Sequence, residues 1–226
     1  MAGETPAPRG VRWVLFDAVG TLIYPDPPVA EVYHAAARQF GSRLSVDEIA
    51  RRFRLALANE QSGATSPGET FSRPPTNESL ERERWRRTVG RVIDDVGSPA
   101  DESLFQQLWT HFAQPQYWRL FDDVEPALAD LAKSGYRLGI ASNFDGRLKQ
   151  IISGHPQLRL CQDVFVSSEV GFTKPDPRFF AAVTTRLGMT PNEILLVGDD
   201  ELNDTLGGRA AGWQAVQLDR DCPVPV

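Results

Sequence analysis

The strongest constraint on the fold is a repeated punctuation: short apolar runs that stop at a polar residue, with helical spacing between them. In VRWVLFDAVGTLI, residues 11–23, Val11, Trp13, Val14, Leu15 and Phe16 form a nearly continuous apolar run that ends at Asp17. Such a run predicts a central strand covered on both faces. YRLGIA, residues 136–141, stops at Ser142-Asn143, and ILLV, residues 194–197, stops at Gly198-Asp199-Asp200. Shorter strands are expected at residues 163–166 and 214–218. Helical spacing falls between them, at residues 122–133, 147–152, 178–187 and 204–211. Strands alternating with helices predict a mostly parallel sheet with right-handed crossovers, an α/β Rossmann-like core.

One stretch breaks that rhythm. After the prolines at 25, 27 and 28, which are expected to exclude regular hydrogen-bonded structure, residues 29–113 read as helix throughout. Val29, Val32, Tyr33, Ala36, Ala37 and Phe40 recur at helical spacing. Ser45 and Glu48 form a capping box for a second helix. A third, residues 78–96, is expected to carry Leu80, Trp85, Val89, Val92, Ile93 and Val96 inward, and Pro99 and Asp101 open a fourth. Trp85 and Trp109 read as core. The polar loop at residues 62–77, with Arg73, is a candidate for facing the site and selecting substrate. The expected organisation is an α/β core, residues 1–24 and 115–226, interrupted by a helical domain at residues 25–114.

Composition limits function. The net charge of −6 over 226 residues argues against nucleic-acid or membrane-surface binding, which favour a basic face. Cys161 and Cys222 are too few for a disulfide framework and lack metal-ligand spacing. The start, MAGETPAPRG, has no apolar segment of signal-peptide type. No apolar run approaches the ~20 residues of a membrane helix. A cytoplasmic protein is expected, with no nucleic-acid or membrane partner; oligomeric state is left open.

The polar residues at the strand ends make a coherent chemical set. In a parallel sheet the carboxyl ends point one way, so Asp17, Ser142-Asn143 and Asp199-Asp200 converge at one edge. Lys174, in the loop GFTKPDP, can reach the same place. Clustered carboxylates call for a hard cation such as Mg²⁺, which takes oxygen ligands and often binds with substrate phosphates. An aspartate can attack as a nucleophile, while a serine hydroxyl, backbone N–H groups and a lysine neutralise a transferring phosphoryl group.

DAVGT, IASN, the lysine of GFTKPDP and GDDELND, in this order, resemble the four motifs of the haloacid dehalogenase-like hydrolase superfamily. The helical insert resembles its C1-type cap. SNFDGRL and FTKPDPRFF are most similar to the branch of haloacid dehalogenase-like hydrolase domain-containing protein 3. The resemblance implies a small, phosphorylated substrate and an aspartyl phosphate on Asp17, with Ser142 and Lys174 as catalytic partners. It implies Asn143, Gly20 and Thr21 at the substrate side of the site. The implied Mg²⁺ ligands are Asp17, Asp199, Asp204 and the backbone carbonyl of Val19.

Val19 departs from the pattern. Phosphatases of the superfamily carry there an aspartate that protonates the leaving oxygen, a role worth about 10²- to 10⁴-fold. Asp200 or Asp26 can be asked to stand in, or the leaving group needs no proton. The alternatives are a metal- and phosphate-binding protein without efficient turnover and a 2-haloacid dehalogenase-type hydrolase. Residues 29–113 contain no lysine, which argues against the phosphonate-hydrolase pattern.

Overall fold

A computed structural model describes residues 10–61, 72–97 and 100–220. Most of the loop at 62–77, Pro99, Cys222 and all but the last residue of the Pro- and Gly-rich start lie outside them. The chain enters through β1 (Trp13–Phe16) and β2 (Ile23–Pro25), then forms α1 (Val29–Gln39), α2 (Val46–Gln61), α3 (Glu78–Val92) and α4 (Ala100–His111). The α/β part resumes with β3 (Trp118–Leu120), α5 (Val124–Lys133), β4 (Arg137–Ser142), α6 (Arg147–Ser153), β5 (Cys161–Val166) and α7 (Ser167–Val170). It finishes with α8 (Pro177–Leu187), β6 (Ile194–Gly198), α9 (Gly207–Ala210) and β7 (Gln214–Gln217). The main sheet has the order β5-β4-β1-β6-β7 with every pair parallel. The fold is thus α/β with a helical insert after the first strand.

β1 explains its own sequence. Trp13 and Leu15 point into one buried cluster, with Phe179, Phe180 and Val183 of α8. Val14 and Phe16 point into another, with Leu128 of α5 and Leu148 and Ile151 of α6. Both faces are covered, so alternation disappears from the sequence. A third cluster is built from α1 to α4, around Tyr33, Ile49, Phe53, Val92 and Phe105. Residue alternation in the helices follows the usual apolar stripe, with one exception below.

Several expectations are corrected. Pro25 is not outside regular structure: it ends β2, which pairs antiparallel with β3, Pro25 opposite Trp118. Proline lacks only the donor, and the end of an edge strand tolerates that loss. α3 stops at Val92, not 96, and Leu80 is half exposed while Glu81 is buried at 2%. The helix end is rotated because Glu81 accepts a hydrogen bond from Thr76 Oγ1 at 2.7 Å and pairs with Arg84. The helix expected over 204–211 is a single π turn, Glu201–Leu206, leading into α9. Asp200 caps that turn, accepting from Asn203 N at 2.8 Å.

The described end of the 62–77 loop leans on the α/β part through its backbone. Arg73 N donates to Asp176 and Thr76 N to the Gly171 carbonyl. Glu78, opening α3, accepts from Gly146 N at 2.9 Å and from the Ser168 hydroxyl. Among the described residues no helix is long and apolar enough to cross a membrane.

Candidate active site

The sheet order reverses beside β1: the chain steps outward to β4 and β5, then returns to place β6 on the other side. A crevice opens at the carboxyl ends of strands at such a switch point. Asp17 follows β1 and its N–H is held by the Val197 carbonyl of β6 at 2.9 Å. Asp199 follows β6 directly. The π turn brings Asp204 back over the strand end, where its carboxylate accepts from Asp200 N at 3.2 Å. Ligand atoms of Asp17, Asp199 and Asp204 all lie within 4.8 Å of one another.

Lys174 is buried among them, at 1% exposure. Its Nζ donates to Asp17 Oδ1 at 2.8 Å, Asp204 Oδ1 at 2.5 Å and the Ala141 carbonyl at 2.8 Å. Burial alone would lower its pKa, but the charges of Asp17 and Asp204 more than offset this and hold it above its ordinary value. Burial raises Asp17, against the pull of Lys174 and of a hydrogen bond from Ser142. Burial likewise raises Asp199 and takes Asp204 up to about 6. Three carboxylates facing one ammonium leave two negative charges unbalanced when all are ionised. An all-oxygen donor set with that excess charge fits a hard divalent cation.

Two glycines make the cluster possible. Gly20 sits at φ +92°, and a Cβ there would lie 2.3 Å from Asp199 Oδ2. A Cβ on Gly198 would lie 2.1 Å from Asp204 Oδ2. Both positions need a backbone without a side chain so that the carboxylates can close in.

Asn143, Gly20 and Thr21, expected on the substrate side, each make contacts within the protein. Asn143 lines the cavity, but its amide clamps the lysine loop: Oδ1 accepts from Lys174 N at 2.7 Å and Nδ2 donates to the Lys174 carbonyl at 2.9 Å. Thr21 is buried and its hydroxyl donates to Asp199 Oδ1 at 3.0 Å. Gly20 packs against Asp199. The polar side chains of Asn143 and Thr21 are thus taken up by neighbouring groups of the site. Both expected stand-in acids are engaged by neighbouring donors. Asp26 lies outside the cavity lining and pairs with Arg119. Asp200 does line the cavity, yet its carboxylate holds both the backbone and side-chain N–H of Asn203 at 2.8 Å. Asp145 accepts from Arg147 N at 3.1 Å, and Asp176 accepts from Arg178 N at 2.9 Å.

Above the carboxylates is a cavity of about 380 Å³ between the helical insert and the strand ends. Val19, Ser142 and Lys174 line its floor; Tyr33, Phe53, Trp85, Phe105 and Trp109 line its walls. Trp85 and Trp109, read from sequence as core, pack against the helical cluster and also line the cavity. Sequence reasoning also missed Arg147. It is pinned by Asp145 through Nε and Nη2, at 2.8 and 2.7 Å, and lies 3.4 Å over the Trp109 ring. The D-x-R spacing in SNFDGRL was the available signal, since a carboxylate and guanidinium two apart can pair over a helix start.

Comparison with known proteins agrees with this arrangement. The family model for haloacid dehalogenase-like hydrolases matches residues 11–212. Haloacid dehalogenase-like hydrolase domain-containing protein 3 of Danio rerio is 30% identical over 93% of this chain and 86% of its own length. Phosphoglycolate phosphatase of Salmonella typhi is 29% identical over 93% and 82%. A crystal structure of a defluorinating L-2-haloacid dehalogenase shares the fold, with TM-score 0.70, 21% identity, and coverage of 93% of this chain and 82% of that one. Sequence match, parallel sheet and converging strand ends together place this chain in the haloacid dehalogenase-like hydrolase family.

Proposed function

We propose that this chain is a Mg²⁺-dependent phosphatase that hydrolyses a small phosphorylated metabolite through an aspartyl phosphate on Asp17. The observation that carries the reading is Lys174, buried and bridging Asp17 and Asp204 inside the three-carboxylate cluster. Asp17, Asp199, Asp204 and the Val19 carbonyl would hold the cation, whose contribution when bound is charge compensation for the phosphoryl oxygens. Lys174 holds the Asp17 carboxylate through Oδ1. Ser142, buried at the end of β4 on the cavity lining with Asp17, would donate to a phosphoryl oxygen. Asn143 holds the lysine loop, and Gly20 and Thr21 hold Asp199 in place. Residues 25–114 act as the cap, excluding water from the site on residues 1–24 and 115–226.

Val19 has no proton to give. The first step therefore depends on the leaving group departing as an anion, and slow turnover of ordinary alkyl phosphates follows. A screen of small phosphates with and without Mg²⁺, with Asp17→Asn as control, tests the assignment. Turnover that needs the metal and vanishes in the variant supports it; equal turnover by the variant, or none by either, refutes it. Val19 also motivates a second reading, a protein that binds metal and phosphate without efficient turnover. In that case calorimetry finds a phosphorylated ligand bound with Mg²⁺ and intact after hours. The apolar Val19 and cavity further allow 2-haloacid hydrolysis through the same aspartate; halide release without added metal is its signature.

A further inference from the structure

Resting on the phosphatase reading, we infer that the substrate is an aromatic phosphate whose bridging oxygen is bonded to an sp² carbon, an aryl or aroyl phosphate. A small phosphate with a second anionic group does not suit the site. Three independent features carry this.

The first is the wall facing the reacting floor. Tyr33, Phe53, Trp85, Phe105, Leu108 and Trp109 enclose it. Phe53 and Trp85 are near-parallel, at 6.4 Å and 17°. Burial pushes the Tyr33 hydroxyl above its ordinary pKa, so that side chain stays uncharged. Flat aromatic surfaces of this kind accept a ring by stacking and edge contacts. The volume, about 380 Å³, is that of a small-molecule site.

The second is the absence of an available cation on that wall. Among the described residues the cations lining the cavity are Lys174 and Arg147. Lys174 is committed to Asp17 and Asp204. Arg147 is bidentate to the fully buried Asp145, donates to the Trp109 carbonyl at 3.3 Å and covers the Trp109 ring. Residues 62–71, outside the described part, contain neither lysine nor arginine. A substrate carboxylate placed there would lose its water without gaining a cationic partner, which is costly.

The third is the absence of an acid beside Asp17 at Val19. Among the described residues the carboxyl groups lining the cavity are Asp17, Asp199, Asp200 and Asp204, all at the floor, and Val19 occupies the position beside them. The leaving oxygen must depart as an anion. A phenol-type oxygen ionises near pH 10, as tyrosine does, and a carboxyl near 4, against about 15.7 for water, near which simple alcohols lie. Asp17 Oδ attacks phosphorus, the P–O bond to the aryl or aroyl group breaks, and the electron pair leaves with that oxygen. Water then attacks phosphorus, the P–O bond to Asp17 breaks, and both protons of the water end on dihydrogen phosphate. The departed phenolate or carboxylate takes any proton it needs from solvent.

The test is a kcat/KM series on the full chain with Mg²⁺: ring-substituted phenyl phosphates, benzoyl phosphate, acetyl phosphate, phosphoglycolate and O-phosphoserine. One methylene in an apolar pocket discriminates by about 10- to 200-fold, so phenyl phosphate is expected to exceed phosphoglycolate by at least about 10²-fold. Benzoyl phosphate should exceed acetyl phosphate similarly, and its rank against the phenyl phosphates distinguishes an aroyl from an aryl substrate. Across the phenyl series kcat/KM should fall steeply as the leaving-group pKa rises, and Val19→Asp should flatten that slope. Phenylphosphonate should quench tryptophan fluorescence, and Trp85→Ala should raise KM for 4-nitrophenyl phosphate about tenfold. Preference for phosphoglycolate or phosphoserine, or a flat leaving-group plot, overturns this inference and leaves the phosphatase reading standing. No turnover of any member, acetyl phosphate included, overturns both.

Discussion

Replacing Lys174 with Met keeps most of the side-chain volume but removes the only ammonium in contact with Asp17 and Asp204 among the described residues. Lysine and Asp204 are almost fully enclosed, at 1% and 2% side-chain exposure, and Asp17 is at 13%. Solvent therefore cannot take over the lysine's role. Breaking a buried pair by removing one partner costs about 3–5 kcal/mol. In a chain of this size each kcal/mol moves the melting temperature by about 2–4 °C, which predicts a drop of about 6–20 °C at neutral pH without metal. The pH dependence supplies an internal check. Burial already raises Asp204 from 3.8 to about 6 and raises Asp17, while Lys174 pulls both down. A group with a raised folded pKa contributes stability below its unfolded pKa and loses it as pH rises through the folded value. Without Lys174 the folded values climb further and this loss grows. The deficit of the variant should be largest near pH 8 and shrink toward pH 5, about where Asp204 can take up a proton. Differential scanning fluorimetry with a chelator present measures it. A drop below about 2 °C at the upper pH, below the floor just derived, or the same drop at both ends, would refute the argument that the ammonium neutralises buried charge.

Three further outcomes follow from the same geometry. Mg²⁺ at about 100 times its dissociation constant adds about 2.7 kcal/mol, so the melting temperature should rise about 5–10 °C and Asp199→Asn should abolish the rise. Gly20→Ala places a Cβ against Asp199 Oδ2 at φ +92°; strain and overpacking of about 1–3 kcal/mol each should lower the urea midpoint and weaken Mg²⁺ binding in calorimetry. Asp176 is fully buried, yet hydrogen bonds from Arg178 and from the backbone of Arg73 outweigh burial and hold its pKa below the ordinary value. Its contribution is therefore present above about pH 3.9 and lost as pH falls through the folded value, so in Asp176→Asn the acid limb of the melting profile should become shallower.

How much was legible depends on whether a feature is local. The run Trp13–Phe16 could be read directly as a strand buried on both faces, because desolvation on both sides leaves only apolar residues. The convergence of Asp17, Ser142 and Asp199 was equally legible, since parallel strands must deliver their carboxyl ends to one edge. The helical insert could be read from its period. The cavity walls could not. Trp85 and Trp109 occupy apolar helix faces, and a period of 3.6 reports that a face leaves water, not whether a neighbouring helix or a ligand covers it. Glu81 turned inward in place of Leu80, where Thr76 donates to its carboxylate and Arg84 pairs with it. The roles of Asn143 and Thr21 were set in the same way: each lies beside a buried group that needed a hydrogen bond. The sequence by itself determined the sheet, its acidic edge and the absence of an acid at Val19. Only the tertiary structure decided which side chains face Asp17 across the cavity, because that depends on how the insert packs against strand ends that lie far away along the chain.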